Sequence, residues 1–305
     1  MPWTIANIPP QYGKLALVTG ANSGIGFHTA LELARAGCEV ILAARTQQKG
    51  AEAVERIRRE LPQAKVRAEI LDLASLRSIR ALAAKIESQP KLDLLINNAG
   101  VMALPTREQT NEGFERQLGV NFLGHFALTA LLVPTLLHAR LPRVTTVSSV
   151  AANMRMKRIN FDDLQSERSY DPWNAYSQSK LADLMFALEF SRRLLKKRYT
   201  LVSNAAHPGY ALTNLFTSGP GKPLGTGQKV LFKIAGQDAV HGALPLLRAA
   251  TDTDAEPAGY YGPSQFFHLK GDPVPVKVPK PAQDEDAAKK LWEIAESLTR
   301  VYFPL

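Results

Sequence analysis

The chain has 305 residues, of which 45% are hydrophobic, enough for one large domain with a substantial core. Its formal net charge is +9, but the basic residues form short scattered clusters without interleaved aromatic residues, which argues against a nucleic-acid partner. The single cysteine, Cys38, excludes an internal disulfide framework and suits a reducing compartment.

The sequence also bears on where the protein works. No apolar run approaches the roughly 18–20 residues of a membrane-spanning helix. The first residues lack the charged-then-apolar order of a signal peptide. We therefore expect a cytoplasmic protein with no membrane span.

The first element is a strand–turn–helix unit over residues 14–36. In its glycine-rich turn, Gly20 permits a tight bend, Gly24 lets backbone approach a pyrophosphate at the helix N-terminus, and Gly26 allows helix and strand to pack closely. Some glycine-rich turns bind no ligand, but a strand before this turn and a helix after it favour a nucleotide site. The residues expected at the cofactor here are Gly20, Asn22, Ser23, Gly24, Ile25 and Gly26.

The second strand, residues 39–44, ends where a dinucleotide site meets the adenosine ribose. An acidic residue there would hydrogen-bond the 2′-hydroxyl of NAD. The sequence has Ala44 and Arg45 instead, so no carboxylate repels a 2′-phosphate and a guanidinium is available to bind one. This favours NADP(H) over NAD(H), unless Arg45 merely opens the next helix.

Helices and strands continue to alternate, with helices predicted over about 46–60 and 75–87 and strands over 66–71 and 92–96. Polar and small residues follow the two strands. They belong at the cofactor if the strands end at one sheet edge, although the asparagines could also form a turn. These candidates are Asp72, Leu73, Asn98, Ala99 and Gly100.

Beyond residue 100 the predicted elements are a helix over about 111–137, a strand over 144–149, a helix from about 176, a strand over 201–206, helices near 239–250 and 284–298, and a short strand near 260. Periodicity fails between residues 210 and 236, where glycine and proline cluster, and we expect a substrate-covering loop there. Its apolar residues hint at a hydrophobic substrate, though they could equally pack as core.

Tyr176 and Lys180 are four residues apart in a helical pattern and therefore share one face. A free tyrosine has a pKa of about 10. A fixed ammonium one turn away favours the phenolate, so it improves the tyrosine as a proton donor and as the conjugate base. Taken alone, the two residues could equally be an exposed pair on a solvated face.

Six or seven strands alternating with helices predict a Rossmann-type α/β fold, a doubly wound parallel sheet flanked by helices. No repeat, linker or domain break appears, so we expect a single NAD(P)-binding domain over residues 1–305. His28, His125 and His207 lack the spacing of a metal site, and we expect each to pack or to hydrogen-bond locally.

The motifs Thr19-Gly20-x-x-x-Gly24-Ile25-Gly26, Asn97-Asn98-Ala99-Gly100, Ser149 and Tyr176-x-x-x-Lys180 occur in this order on the expected elements. Together they resemble the short-chain dehydrogenase/reductase superfamily over nearly the whole chain. Residues 160–166 and 175–182 are similar to the branch of retinol dehydrogenases, WW-domain-containing oxidoreductase and protochlorophyllide reductase. The animal retinol dehydrogenases carry a hydrophobic anchor that this sequence does not show, which argues against a retinoid substrate.

The resemblance implies the roles of the site residues. Tyr176 would be the general acid in reduction and the base in oxidation, and Lys180 would favour its ionised form and bind the nicotinamide ribose. Ser149 would hold the substrate oxygen, while Ser148 would offer backbone to the cofactor. Asn121 would hold a water that connects the lysine to solvent. The residues implied to contact nicotinamide and pyrophosphate are Tyr176, Lys180, Pro208, Gly209 and Thr213.

We therefore expect an NADP(H)-preferring oxidoreductase that transfers a hydride between nicotinamide and a small, hydrophobic carbonyl or alcohol. One alternative is reduction of a carbon–carbon double bond on the same scaffold. Another is a non-catalytic NADP(H)-binding sensor, against which the presence of all four catalytic-type residues argues. No metal is expected, and a homo-oligomer could form through the helices that carry Asn121 and Tyr176.

Overall fold

The computed structural model describes residues 2–211 and 236–305. The loop predicted over 210–236, including Thr213, lies almost wholly outside the described residues. The strands are β1 Leu15–Thr19, β2 Glu39–Ala44, β3 Val66–Ile70, β4 Leu94–Asn97, β5 Arg143–Val147, β6 Val202–Ala206, β7 Tyr260–Gln265 and β8 Lys270–Pro275. Within the described residues they form one sheet of eight strands in the order β3-β2-β1-β4-β5-β6-β7-β8.

Helices cover both faces of this sheet. They are α1 Gly24–Arg35, α2 Gln47–Glu60, α3 Leu76–Glu87, α4 Gly124–Leu137, α5 Pro172–Lys196, α6 Ala239–Thr251 and α7 Glu285–Thr299. Successive side chains of a strand point to opposite faces, so Leu15 and Leu17 join the core under α3, α4, α5 and α7, whereas Ala16 and Val18 join the core under α1, α2 and α6. Burial on both faces explains why the central strands read as continuous apolar runs.

The predicted doubly wound α/β fold is confirmed, with one strand more than expected. Strands β1 to β7 are paired in parallel, and β8 pairs antiparallel with β7 at the edge of the sheet. The sequence analysis assigned the proline-rich passage from residue 273 to no element. Pro273 and Pro275 lack the N–H that a central strand would need, but an edge strand tolerates them.

The helix predicted from about residue 111 begins later. Residues near Gly113 form a turn, and the Glu115 carboxylate accepts from the backbone N–H groups of Gln117 and Leu118, at 2.9 and 2.7 Å, which caps the true helix start. The first turns over Leu118–Leu123 are π-helical and continue into α4. The wider π turns place Asn121 in the bulge, a distortion often found at functional sites.

By length and hydropathy alone, Leu118–Leu137 is a helix that could cross a bilayer, contrary to the expectation that no run comes close. In this fold, however, 83% of that segment is buried inside the protein. Such burial is typical of the core helix of a globular domain.

An aromatic cluster joins α7 to α4 and α5. The Trp292 ring lies 5.1 Å from Phe126 and 4.3 Å from Phe303, measured between centroids, and Phe186 and Phe190 complete the cluster. Phe126 of α4 and Phe186 and Phe190 of α5 therefore find partners within the same chain.

Replacing Trp292 by alanine should destabilise the protein by about 3–5 kcal/mol, because a fully buried indole leaves a cavity that its aromatic neighbours fill only in part. Urea denaturation followed by circular dichroism measures the free energy of unfolding. Tyr302→Ala is the control, since Tyr302 is 68% exposed and its loss should change that free energy by less than about 0.5 kcal/mol. Equal effects of the two substitutions would contradict a central role for the cluster.

Candidate active site

A cavity of about 560 Å³ opens where the central parallel strands end. The carboxyl ends of these strands form one sheet edge, the usual ligand site of an open α/β sheet. Asn121 lies behind the cavity wall, and Thr213 lies outside the described residues. The sequence-predicted residues that line the cavity are Gly20, Asn22, Ser23, Gly24, Ile25, Gly26, Arg45, Asp72, Leu73, Asn98, Ala99, Gly100, Ser149, Tyr176, Lys180, Pro208 and Gly209.

Two glycines of the turn, Gly20 and Gly26, have no room for a side chain. Gly20 has a φ of +65°, and a Cβ added at Gly26 would stand 2.4 Å from Asn98 Nδ2 and 2.6 Å from the Gly20 carbonyl oxygen. This packing draws the first turn of α1 close to the end of β1. No acidic residue lies in that first turn, so its free N–H groups and the helix dipole can receive an anion from the cavity.

Two basic side chains line the cavity beyond β2. Arg45 follows the strand directly, and Thr46, whose hydroxyl accepts from the Lys49 N–H at 3.3 Å, caps α2. Arg45 therefore stands at the strand end and outside the helix. The sequence analysis missed Lys49, which also lines the cavity. Its position in the first turn of α2, four residues after Arg45, was the available signal.

The Thr19 hydroxyl is the centre of a buried hydrogen-bond chain. It accepts from the N–H groups of Asn98 and Ala99, each at 2.9 Å, and lies 2.9 Å from Nε2 of His125. His125 Nδ1 lies 2.7 Å from the Asn121 carbonyl oxygen, which can only accept, so Nδ1 carries the hydrogen. Burial lowers the pKa of His125 to about 3, so the ring is neutral and Nε2 accepts from the Thr19 hydroxyl.

The Asn121 side chain ties the cavity wall to α5. Its Oδ1 accepts from Val101 N–H at 2.8 Å, and its Nδ2 donates to the Val101 carbonyl at 2.9 Å and to Ser179 Oγ at 2.8 Å. The amide thus holds the segment after β4 against the helix of Tyr176. The water that the resemblance implies at Asn121 stays a prediction.

Tyr176 and Lys180 are both nearly buried, at 6% and 4% exposure, yet both line the cavity. The tyrosine belongs to a small apolar cluster with Met102, Ala103 and Ala151. Lys180 Nζ donates to the Val147 carbonyl at 2.9 Å and to an Asp183 carboxylate oxygen at 2.8 Å. The sequence analysis did not single out Asp183.

The two serines after β5 have different partners. Ser148 Oγ donates to the Lys180 carbonyl at 2.8 Å and is buried. Ser149 Oγ accepts from the Ala151 N–H at 3.1 Å, which leaves its hydroxyl hydrogen available. The substrate contact of Ser149 that the resemblance implies stays a prediction.

Apolar side chains also line the cavity, and two of them, Met102 and Trp173, lie near Tyr176. Sequence spacing gave no signal for them, because they come from separate loops and from the start of α5. They are Met102, Leu104, Met154, Trp173 and Leu269.

Comparison with known proteins identifies the family. The chain matches the short chain dehydrogenase family over residues 14–220. The protein belongs to the short-chain dehydrogenase family. It is therefore an oxidoreductase, and the predicted relationship to the retinol dehydrogenase branch is confirmed.

The similar curated short-chain dehydrogenases include human retinol dehydrogenase 14, which is 39% identical and covers 94% of this chain and 86% of its own. Human retinol dehydrogenase 13 is 41% identical over 98% of this chain and 87% of its own. Mouse polyprenol dehydrogenase is 38% identical, with 96% and 85% covered.

Solved structures agree on the fold. The crystal structure of an uncharacterised protein from Mycobacterium paratuberculosis has a TM-score of 0.82 and 40% identity, and it covers 100% of both chains. A short chain dehydrogenase of Shigella flexneri complexed with NADP shares the fold, with a TM-score of 0.63 at 24% identity over 81% of this chain and 95% of its own.

The buried histidines should make the short-chain dehydrogenase sensitive to acid. Burial lowers the pKa values of His125 and His207 to about 3, below the ordinary value of 6.5, so the unfolded chain binds protons that the folded chain does not. Stability should therefore fall as the pH drops below about 6.5, by up to about 1.4 kcal/mol per pH unit for each histidine.

His125→Gln should make this dependence shallower, whatever its effect on stability at pH 7.5, whereas the exposed His138→Gln should leave the slope unchanged. Urea denaturation at several pH values between about 7.5 and 4.5 measures the slope. An unchanged slope in His125→Gln would show that His125 is not held neutral by the fold.

Proposed function

We propose that this short-chain dehydrogenase is an NADP(H)-preferring enzyme that interconverts an apolar alcohol and its carbonyl compound, with Tyr176 as the proton donor and acceptor. The observation that carries the proposal is the position of Tyr176, Lys180 and Ser149 on the same cavity as the glycine turn and Arg45. One cavity thus carries both the proton-transfer groups for a substrate and the anion-binding turn for the cofactor.

The residues present fit a dinucleotide phosphate. The glycine turn and the start of α1 suit the pyrophosphate, because Gly20 and Gly26 let the backbone pack closely there. Arg45 and Lys49 place two positive charges beyond β2, where a 2′-phosphate would lie, and the strand β2 itself is followed by no carboxylate; Asp72, which also lines the cavity, follows β3. When bound, nicotinamide supplies or accepts the hydride.

The chain's own residues transfer the proton and stabilise the charge that develops on the substrate oxygen. In reduction, Tyr176 donates its hydroxyl proton to the substrate oxygen as negative charge builds there, and the Ser149 hydroxyl donates a hydrogen bond to the same oxygen. The Lys180 ammonium stabilises the phenolate that remains. In oxidation, the phenolate removes the proton from the alcohol, and the same donors hold the oxygen.

The substrate class is supported by the apolar wall beside Tyr176 and by the relatives. Met102, Leu104, Met154 and Trp173 offer apolar surface to a substrate. The relatives include proteins named for retinol and for polyprenol. We propose apolar alcohols and aldehydes as substrates.

Arg45→Ala should weaken NADPH binding about 10- to 100-fold, because a charge-assisted contact to the 2′-phosphate is lost. NADH binding should change less than about threefold. Fluorescence titration of the reduced cofactors measures both affinities. Arg59→Ala is the matched control, since Arg59 is an exposed arginine of α2 that does not line the cavity. Tighter binding of NADH in the unmodified protein, or equal weakening of both cofactors, would overturn the NADP(H) preference.

Tyr176→Phe should lower kcat about 100- to 10,000-fold, because the proton donor is lost while the ring keeps its packing. NADPH affinity should stay within about threefold. Turnover is followed by NADPH absorbance with a panel of apolar aldehydes, and Tyr199→Phe is the control. Mass spectrometry of the products separates carbonyl reduction from reduction of a carbon–carbon double bond. Full activity in Tyr176→Phe would remove the tyrosine from the mechanism.

A further inference from the structure

The contact between Lys180 and Asp183 is not explained by the roles given above. Asp183 lies three residues after Lys180 on the same face of α5, and only 1% of its side chain is exposed. Its Oδ2 lies 2.8 Å from Lys180 Nζ. Asp183 is not among the residues that line the cavity, so any effect on a bound substrate passes through the lysine.

The hydrogen bonds of Lys180 fix its direction. An ammonium has three donors, and two of them go to the Val147 carbonyl and to Asp183. One donor remains for the cavity, which Lys180 lines beside Gly100. The lysine is thus oriented by the fold before any ligand binds.

The Asp183 carboxylate is poorly satisfied for a buried anion. Among the described residues, its second oxygen, Oδ1, is buried without a hydrogen-bond partner. Burial raises the pKa of Asp183 to about 6, although Lys180 opposes that shift. A buried ion pair with an unpaired oxygen adds little stability, so stability alone does not explain the Lys180–Asp183 pair.

Two other titratable groups packed around the pair, His125 and Tyr260, carry no charge near neutral pH. His125, on the α4 side, is held neutral by burial. Tyr260, on β7, has its pKa raised by burial and hydrogen-bonds Ser148. Tyr176 lies one turn away on α5. Among the described residues in contact with Lys180, Asp183 is therefore the source of negative charge.

We propose that Asp183 is a positioning residue that sets how strongly Lys180 acts on Tyr176. Its carboxylate holds the ammonium in place and offsets part of the positive charge that favours the phenolate. This proposal rests on the proposed function for its consequence: a lysine with part of its charge offset leaves more of Tyr176 in the protonated form, the form that donates to a carbonyl.

Asp183→Asn tests the proposal, because asparagine keeps the size and one acceptor but removes the charge. In alcohol oxidation, the inflection in the pH profile of kcat/KM should move to lower pH by about half a unit to one unit. NADPH affinity should stay within about twofold. Asp93→Asn is the matched control, because Asp93 is also buried and also pairs with a lysine, Lys91, at 3.0 Å. Asp93 precedes β4 and so lies at the amino ends of the parallel strands, whereas the cavity lies at their carboxyl ends.

A second readout does not need activity. Tyrosinate absorbance of each protein, minus that of the same protein carrying Tyr176→Phe, reports the ionisation of Tyr176 directly. Its midpoint should fall in Asp183→Asn and in Asp183→Ser, which removes the charge with a smaller side chain, and should stay in place in Asp93→Asn.

The outcomes separate the two proposals. An unmoved midpoint in both Asp183 variants, even with lower kcat or lower stability, would make Asp183 a structural residue only and would overturn this inference. A shifted midpoint in a protein that turns over no alcohol or carbonyl would support the coupling and would count against the proposed function instead.

Discussion

The hydrogen-bond chain from Thr19 through His125 to Asn121 is the constraint on which the site depends. It joins the ends of β1 and β4 to the π-helical bulge before α4. His125 donates through Nδ1 to the Asn121 carbonyl and accepts through Nε2 from the Thr19 hydroxyl, so these hydrogen bonds all point in one direction. Removal of any member leaves a buried donor or acceptor unpaired, at a cost of about 1–3 kcal/mol. Through Asn121 and Ser179 the same chain reaches α5, the helix of Tyr176. The end of β1, where the glycine turn begins, and the helix α5 are thereby held as one body.

Charged side chains lie near the cavity at two different depths, one set exposed to solvent and the other buried. Arg45 and Lys49 face solvent beyond β2, where their charges attract an anion but are screened by salt. Lys180 and Asp183 are buried, where screening is weak and one charge strongly alters the other. In the proposed function, the exposed charges capture a charged ligand and the buried charges tune a proton transfer. The fold separates these tasks by depth along the same sheet edge.

Much of this arrangement was predictable from sequence because parallel strands buried on both faces read as apolar runs, and the residues that follow them necessarily share one sheet edge. That reasoning located the glycine turn and the residues after β2 to β6. The strand β8 was not predicted, because a proline such as Pro273 argues against a strand when only the sequence is read. The same reasoning missed the partners of His125 and the apolar wall, because these contacts join segments far apart in the chain. Asp183 is close to Lys180 in sequence, yet its burial became visible only when α5 was packed.

The aromatic cluster around Trp292 has a consequence for biosynthesis. It covers α4 and α5 with a helix that follows them in the chain and is therefore made after them. Chains leave the ribosome N-terminus first, so the glycine turn and the inner strands emerge long before α7. Until α7 has been made, Phe126, Phe186 and Phe190 lack their contacts with Trp292 and leave an apolar face uncovered. A chain interrupted before α7 would therefore keep that face exposed.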